Sequence, residues 1–254
     1  MNKRVRNIKL EITYDGTDFC GWQVQKNART VQGAIEEALS VIHKDRVTLH
    51  YAGRTDSGVH AIGQVANFYS GVDTIPAEKY VPALNRLLPD DITIVSSRQV
   101  DDDFHARYSA TNRIYRYYLH PSRYCSSVQA RFCYPLGRDV NVQRMNDLAS
   151  VLIGKHDFSS FATETDDEMS TVRLITNSYF FAKGPYIVYH IAGNGFLRKM
   201  VRAIVGTILE LERQDADGRE LKTILQAKSR SEAGETAPSK GLFLHRVEYD
   251  GRTA

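Results

Sequence analysis

Apolar residues alternate at Ile8, Leu10, Ile12 and Tyr14, take up helical spacing at Val31, Ile35, Ala38, Leu39 and Ile42, and return to strand-like runs at Val65 to Tyr69 and at Ile92, Ile94 and Val100. A period of two marks a strand with one buried face, and a period of 3.6 marks a helix with one buried stripe. Repeated exchange between the two periods restricts the chain to α+β architectures in which helices cover a sheet. Thr30 is placed to cap the first helix. Val47 to Tyr51 reads as a further short strand, and Ala77 to Leu88 as a helix that Pro82 must either kink or start.

The second half repeats the order loosely. Arg113 to His120 reads as a strand. Met145, Leu148 and Leu152 stripe a helix capped by Asn141. Val172 to Phe181 and Tyr186 to Ile191 form a hairpin around Lys183-Gly184-Pro185. Phe196 to Leu211 is a long helix, apolar on more than one side and so buried. A short helix, Leu221 to Ala227, and a strand, Leu242 to Tyr249, follow. The expectation is two similar β-α-β-β-α-β halves of the RRM or ferredoxin-like kind, 1–103 and 104–254, meeting near Asp101-Asp102-Asp103. Joined most simply, they give one continuous, mainly antiparallel sheet with helices on one face and a cleft on the other.

Composition excludes several classes. At 254 residues and 42% hydrophobic, the chain can bury a sizeable core. It has no run of about 18 apolar residues, so no membrane helix is expected. The basic start, Met1 to Arg6, leads into alternating strand residues and not into an apolar signal core, which points to the cytoplasm. Three cysteines (Cys20, Cys125 and Cys133) form no C-x-x-C and read as reduced thiols. Eight histidines show no metal-ligand spacing, so no metal site is expected. The net charge of +3 permits a polyanionic partner without arguing for one. Its distribution says more. Arg107, Arg113, Arg116, Arg123, Arg131 and Arg138 are interleaved with six tyrosines between Tyr108 and Tyr134. Cations for phosphate beside flat rings for bases are the ingredients of RNA binding, although the same pattern fits a solvated strand face.

The segment richest in chemistry is Gly53-Arg54-Thr55-Asp56-Ser57-Gly58-Val59-His60-Ala61, in a loop after a strand. A carboxylate fixed there can act as nucleophile or base, and an adjacent arginine can bind phosphate or a displaced base. The same residues also fit a plain Asp-centred turn. No G-K-[ST] follows, so the segment is not a phosphate-binding Walker loop.

These nine residues resemble the signature of the TruA-type pseudouridine synthase family. Other blocks follow in that family's order. They are Tyr14 to Phe19 with Gly21-Trp22-Gln23; Thr30 to Gly33; Phe104 to Arg107 with Arg113 to Tyr117; Asn194 to Leu197 with Met200 to Arg202 and Val205 to Thr207; and Ala237-Pro238 with Gly241 to Leu244. Tyr108, where the family more often has Phe, is the one departure noted. The resemblance implies that Asp56 is the nucleophile, that Arg54 binds RNA and holds the target base out of its stack, that Tyr115 packs on the target uracil, and that Arg202 is the basic partner of Asp56. Arg107 and Arg113 join Arg54 and Tyr115 as expected substrate contacts, and Arg198 is expected on one helix face with Arg202. Also implied are cofactor-free isomerisation of uridines 38, 39 and 40 in the tRNA anticodon stem-loop and a homodimer. Two other readings compete. A catalytically inert RNA-binding protein on the same fold could dispense with Asp56. A glycosidase or nuclease would need a second placed acid or a metal cluster.

Overall fold

The computed structural model describes residues 5–163 and 170–250. Among the described residues, ten strands and six α-helices run in the order β1 (Arg6–Tyr14), α1 (Val31–His43), β2 (His50–Tyr51), β3 (His60–Ser70), α2 (Tyr80–Asn85), β4 (Ile92–Val100), β5 (Ala110–His120), α3 (Ser127–Arg131), β6 (Tyr134–Pro135), α4 (Val142–Ser150), β7 (Gly154–Asp157), β8 (Val172–Lys183), β9 (Tyr186–Gly193), α5 (Met200–Arg213), α6 (Gly218–Ala227) and β10 (Leu242–Tyr249). The chain forms two compact units. One reaches Thr111 and takes in the chain from Leu244 onward, and the other is Asn112–Phe243. The division thus falls later than the expected 103, and the last strand returns to the first unit. Contacts inside that unit account for the return: the Tyr249 hydroxyl donates to the Ala106 carbonyl (2.8 Å), and the Lys9 ammonium lies 5.0 Å from the Tyr249 ring centre.

In the first unit the strand order is β4-β1-β3-β10, with β2 beside β3. The pairings of β1 with β3 and with β4, and of β2 with β3, are antiparallel. The elements β1-α1-β2-β3-α2-β4 are the β-α-β-β-α-β order expected. Ile8 sits opposite Phe68, and their shared face carries the helices. The Phe68 ring meets Tyr80 of α2 at 5.1 Å and His43 of α1 at 5.7 Å, and Ile8, Leu10, Ile12, Ile35 and Leu39 are fully buried. Thr30 caps α1 by accepting from Gly33 N–H, as the sequence suggests. Strand β2 is shorter than expected because the Leu49 N–H goes to the Glu36 carboxylate of α1 (3.0 Å) and not to a neighbouring strand. Pro82 falls in the first turn of α2, where a missing N–H costs nothing, after a 3-10 turn at Ala77–Lys79.

The second unit has strand order β5-β9-β8-β7, antiparallel between β5 and β9, β9 and β8, and β8 and β7, with the short β6 parallel to β5. Asn141 caps α4 by accepting from Arg144 N–H. Asn146 of α4 clasps the Phe180 backbone of β8 through both its amide groups (3.0 and 2.7 Å). Asn85 of α2 holds Ile94 of β4 in the same way (2.9 and 2.8 Å). The two units therefore anchor a helix to a strand by one device. Each is an α+β layer with a mainly antiparallel sheet, the class read from the sequence. No helix among the described residues is long and apolar enough to cross a membrane.

Candidate active site

The Gly53–Ala61 segment links β2 to β3, and its shape is fixed from beneath. The pairing of β1 with β3 slips in register between Ile12 and Tyr14, which re-aims Tyr14 at the end of its strand. The buried Tyr14 hydroxyl then meets the Thr55 hydroxyl at 2.8 Å. Burial pushes the Tyr14 phenol well above its ordinary value, so it stays neutral and serves as a hydrogen-bonding post. The Gly53 carbonyl accepts from the Gln64 amide (2.8 Å), and the Thr55 carbonyl accepts from Trp22 N–H (3.1 Å). A tight turn closes with Val59 N–H on the Asp56 carbonyl (3.1 Å). The neighbouring 15–22 loop is laced to this one. Ser57 hydroxyl and Gly58 N–H both donate to the Phe19 carbonyl, and Gly16 N–H donates to Nδ1 of His60. Gly16 and Gly21 are required by that closeness. A Cβ at Gly16 would overlap the Val59 carbonyl oxygen. One at Gly21, where φ is +92°, would lie 2.7 Å from the Thr55 carbonyl. Helix α1 anchors the 15–22 loop in turn, because its first N–H groups, on Val31 and Gln32, donate to the Gly21 and Trp22 carbonyls.

The loop presents its side chains differently. Thr55 points in and is buried, Asp56 is half-buried, and Arg54 is exposed. Arg54 donates through Nε to the Tyr51 hydroxyl (3.1 Å), and the Tyr51 ring rests on Trp22 at 5.5 Å. The fully buried Trp22 also contacts Tyr14 at 5.9 Å. The loop that carries Arg54 and Asp56, the two residues expected to act, is thus backed by a single indole. Arg107 also belongs to the first unit and is exposed on the turn after Phe104.

In the second unit, Tyr115, Arg113 and Arg202 all connect to the segment 194–202. Tyr115 lies on β5 opposite Ile191, 7% exposed, and its ring meets Phe196 edge-on at 5.0 Å. Arg113, expected among the RNA contacts, is 8% exposed and donates to the Asn194 carbonyl (2.8 Å). It is drawn inside because it shares the buried face of β5 with Tyr115, Tyr117 and Leu119. Helix α5 starts at Met200, four positions later than Phe196, because Lys199 adopts a left-handed conformation (φ +59°). Arg198 therefore precedes the helix, which corrects the expected helical pairing with Arg202. Arg202, in the first turn of α5, donates through Nε to the Ala237 carbonyl (2.8 Å), and Ala237 N–H returns a bond to the Arg202 carbonyl (3.1 Å). The Tyr117 hydroxyl holds the next carbonyl, Pro238 (2.7 Å). Among the described residues, no group of three or more His, Cys, Asp and Glu side chains is placed to hold a metal ion. The three cysteines are free thiols.

A family model described as tRNA pseudouridine synthase matches residues 12–109 and 148–250. The chain belongs to the tRNA pseudouridine synthase family. It is 46% identical over 251 residues to the tRNA pseudouridine synthase A of Anoxybacillus flavithermus, covering 97% of this chain and 100% of that protein. Identity to the proteins of the same name from Acetivibrio thermocellus and Bacillus subtilis is 43% over 245 residues in each case. The match takes in 96% of this chain, and 100% and 99% of theirs respectively. The family isomerises uridine to pseudouridine in tRNA, so its members are isomerases.

The family blocks outside the Asp56 loop have structural work in this chain. Tyr14-Asp15-Gly16 and Gly21-Trp22 are the bed of the loop, and Ala237-Pro238 is the strap over the first turn of α5. Tyr14, Tyr51, Gln64 and Phe196 carry no local signal that marks them as site residues. Tyr51 holds Arg54 and Phe196 braces Tyr115, while Tyr14 and Gln64 hold Thr55 and Gly53, the two neighbours of Arg54.

Proposed function

We propose that this chain isomerises uridine to pseudouridine at positions 38, 39 and 40 of the tRNA anticodon stem-loop, with Asp56 as the nucleophile and without a cofactor. The observation that carries the reading is the Asp56 loop: a half-buried carboxylate next to an exposed arginine, on backbone fixed by Tyr14, Trp22 and Gln64. Preorganised groups of this kind are what a covalent step requires. The reaction breaks the N1-glycosidic bond, turns the uracil and rejoins it through C5. The product is an isomer of the substrate, so no electron or group donor enters. The target nucleotide must leave its stack to be reached. Arg54 holds it out, and Tyr115, its ring braced edge-on by Phe196, is the surface on which uracil packs. Arg202 is the basic partner of the carboxylate, and Arg107 contacts the RNA backbone. Arg113 serves by fixing the Asn194 carbonyl and hence the segment leading to Arg202. Asp56 can attack the ribose, add to the uracil ring or remove a sugar proton, and all three uses need the same ionised carboxylate. Membership of the family favours this enzyme over an inert RNA-binding protein.

The decisive assay incubates tRNA lacking the modification with purified protein in EDTA and maps pseudouridine. Formation at 38 to 40 is expected, and its absence in folded protein would overturn the reading. Affinity for tRNA should fall steeply with salt, because arginines such as Arg54 and Arg107 release counterions from the phosphates. A flat plot of log affinity against log salt would contradict a phosphate-contacting surface. We also read the protein as a cytoplasmic homodimer. Light scattering at micromolar concentration should return twice the chain mass, and full activity at the mass of one chain would rule the dimer out.

A further inference from the structure

In the first unit, the sheet face opposite the helices carries a row of rings that the uridine chemistry leaves unused. His50 of β2 lies opposite Asn67 of β3, and Tyr69 follows two residues later on the same face. The His50 ring is 6.1 Å from Tyr69 and 4.8 Å from His105, and His105 is 4.5 Å from Tyr108, centre to centre. The row opens to water at both ends, where Tyr69 is 43% and Tyr108 76% exposed.

The turn that presents Tyr108 is held rigidly. Ser109 N–H donates to the His105 carbonyl (2.9 Å), His105 N–H donates to the Ser109 hydroxyl (3.0 Å), and Arg107 N–H donates to His105 Nδ1 (3.1 Å). Below it, fully buried Asn7 and Asn67 bond each other (2.9 Å). Asn7 also donates to the Phe104 carbonyl (2.8 Å), and Asn67 accepts from Ala106 N–H (2.9 Å). A buried polar network therefore fixes a segment whose tip projects an arginine and a tyrosine into solvent.

Charge indicates what the row would hold. His105 accepts at Nδ1 and so carries its proton on Nε2 as a neutral ring. Burial, with His50 beside it, pushes that imidazole down, which keeps it neutral at pH 7. Positive charge enters at one end, where the Arg107 guanidinium lies 5.6 Å from the centre of the Tyr108 ring. At the other end the Tyr69 hydroxyl donates to the Asp102 carbonyl, which sets the acidic Asp101-Asp102-Asp103 run there. Neutral flat faces suit bases, and a cation at one end suits a single phosphate.

We propose that Tyr108, His105, His50 and Tyr69 form a stacking platform for one or two unpaired bases of the tRNA, apart from the target uridine, with Arg107 on the adjoining phosphate. The proposal rests on the reading of this chain as a tRNA-modifying enzyme. Binding of full-length tRNA to the intact protein tests it. Tyr108→Ala should weaken affinity about fivefold or more, and Tyr108→Phe should restore it, because the flat face and not the hydroxyl carries the contact. The salt slope of Tyr108→Ala should match wild type, whereas Arg107→Ala should lower the slope by about one ion. Irradiated tRNA carrying 5-iodouridine should crosslink to Tyr108 or His105. If wild type binds tRNA and Tyr108→Ala binds within about twofold of it, the platform is wrong and the uridine chemistry stands. A loss of self-association in Tyr108→Ala with unchanged tRNA affinity would assign the rings to a protein contact and overturn the proposal. Wild type that fails to bind tRNA would remove both readings.

Discussion

Asp56→Asn is expected to reduce pseudouridine formation to below about a thousandth of wild type while tRNA affinity stays within about threefold. Asparagine keeps the size of the side chain and loses the anion, so every use proposed for the carboxylate fails together. The loop itself should survive. Its fixing bonds run through the Tyr14–Thr55 hydroxyl pair, the Gly53 and Thr55 carbonyls, and Val59 N–H on the Asp56 backbone carbonyl, all of which the variant retains. Affinity depends mainly on phosphate contacts made elsewhere. Single-turnover conversion and equilibrium binding, measured on one preparation, separate the two effects. A variant that keeps more than about a tenth of wild-type turnover would take Asp56 out of the catalytic role.

Local patterns carried much of the fold. Alternation at Ile8 to Tyr14 and the helical stripe after Thr30 mark elements whose buried faces are decided by their own sequence, and both lie where expected. The misses came where a distant group competed for the backbone. Val47 to Leu49 has strand character, but Glu36, thirteen positions before Leu49, takes its N–H. The stretch from Phe196 has helical character, but Asn194 is tied to Leu174 of β8 through its backbone and side chain, and the chain reaches helical geometry only after Lys199. The compact units differ from the expected halves for the same reason. An acidic run reads as a junction, yet the pairing of the final strand with the first unit is invisible to any local window.

The site shows the same division. Arg54 and Asp56, the proposed site residues, stand out in the sequence because their chemistry is concentrated in nine consecutive residues. The residues that support them were not. Tyr14 and Thr55 meet across 41 positions, and Gln64 reaches back 11 to Gly53. Arg113 and Arg107 belong to one basic block and have opposite fates, one interior and one exposed. Here a signal existed. Period-two alternation along β5 puts Arg113 on the face of Tyr115, Tyr117 and Leu119, and reading that parity would have placed it inside.

Trp22→Ala is expected to destabilise the protein by about 3–5 kcal/mol, the range for removing a large aromatic from a packed core. The indole is fully buried and lies against two rings that each hold part of the Asp56 loop, Tyr14 through Thr55 and Tyr51 through Arg54. Truncation therefore leaves a void directly behind the loop that carries Arg54 and Asp56, and neither tyrosine hydroxyl keeps a fixed backing. Turnover of the fraction that remains folded should fall as well, since a loop displaced by an ångström no longer presents its carboxylate correctly. Trp22→Phe separates packing from hydrogen bonding. The indole N–H is buried without a partner among the described residues, so phenylalanine gives up volume but no bond, and it should cost much less than alanine. Denaturant midpoints for the two variants, with single-turnover rates below the transition, test this account. Trp22→Ala within about 1 kcal/mol of wild type would mean that the loop is held without the indole.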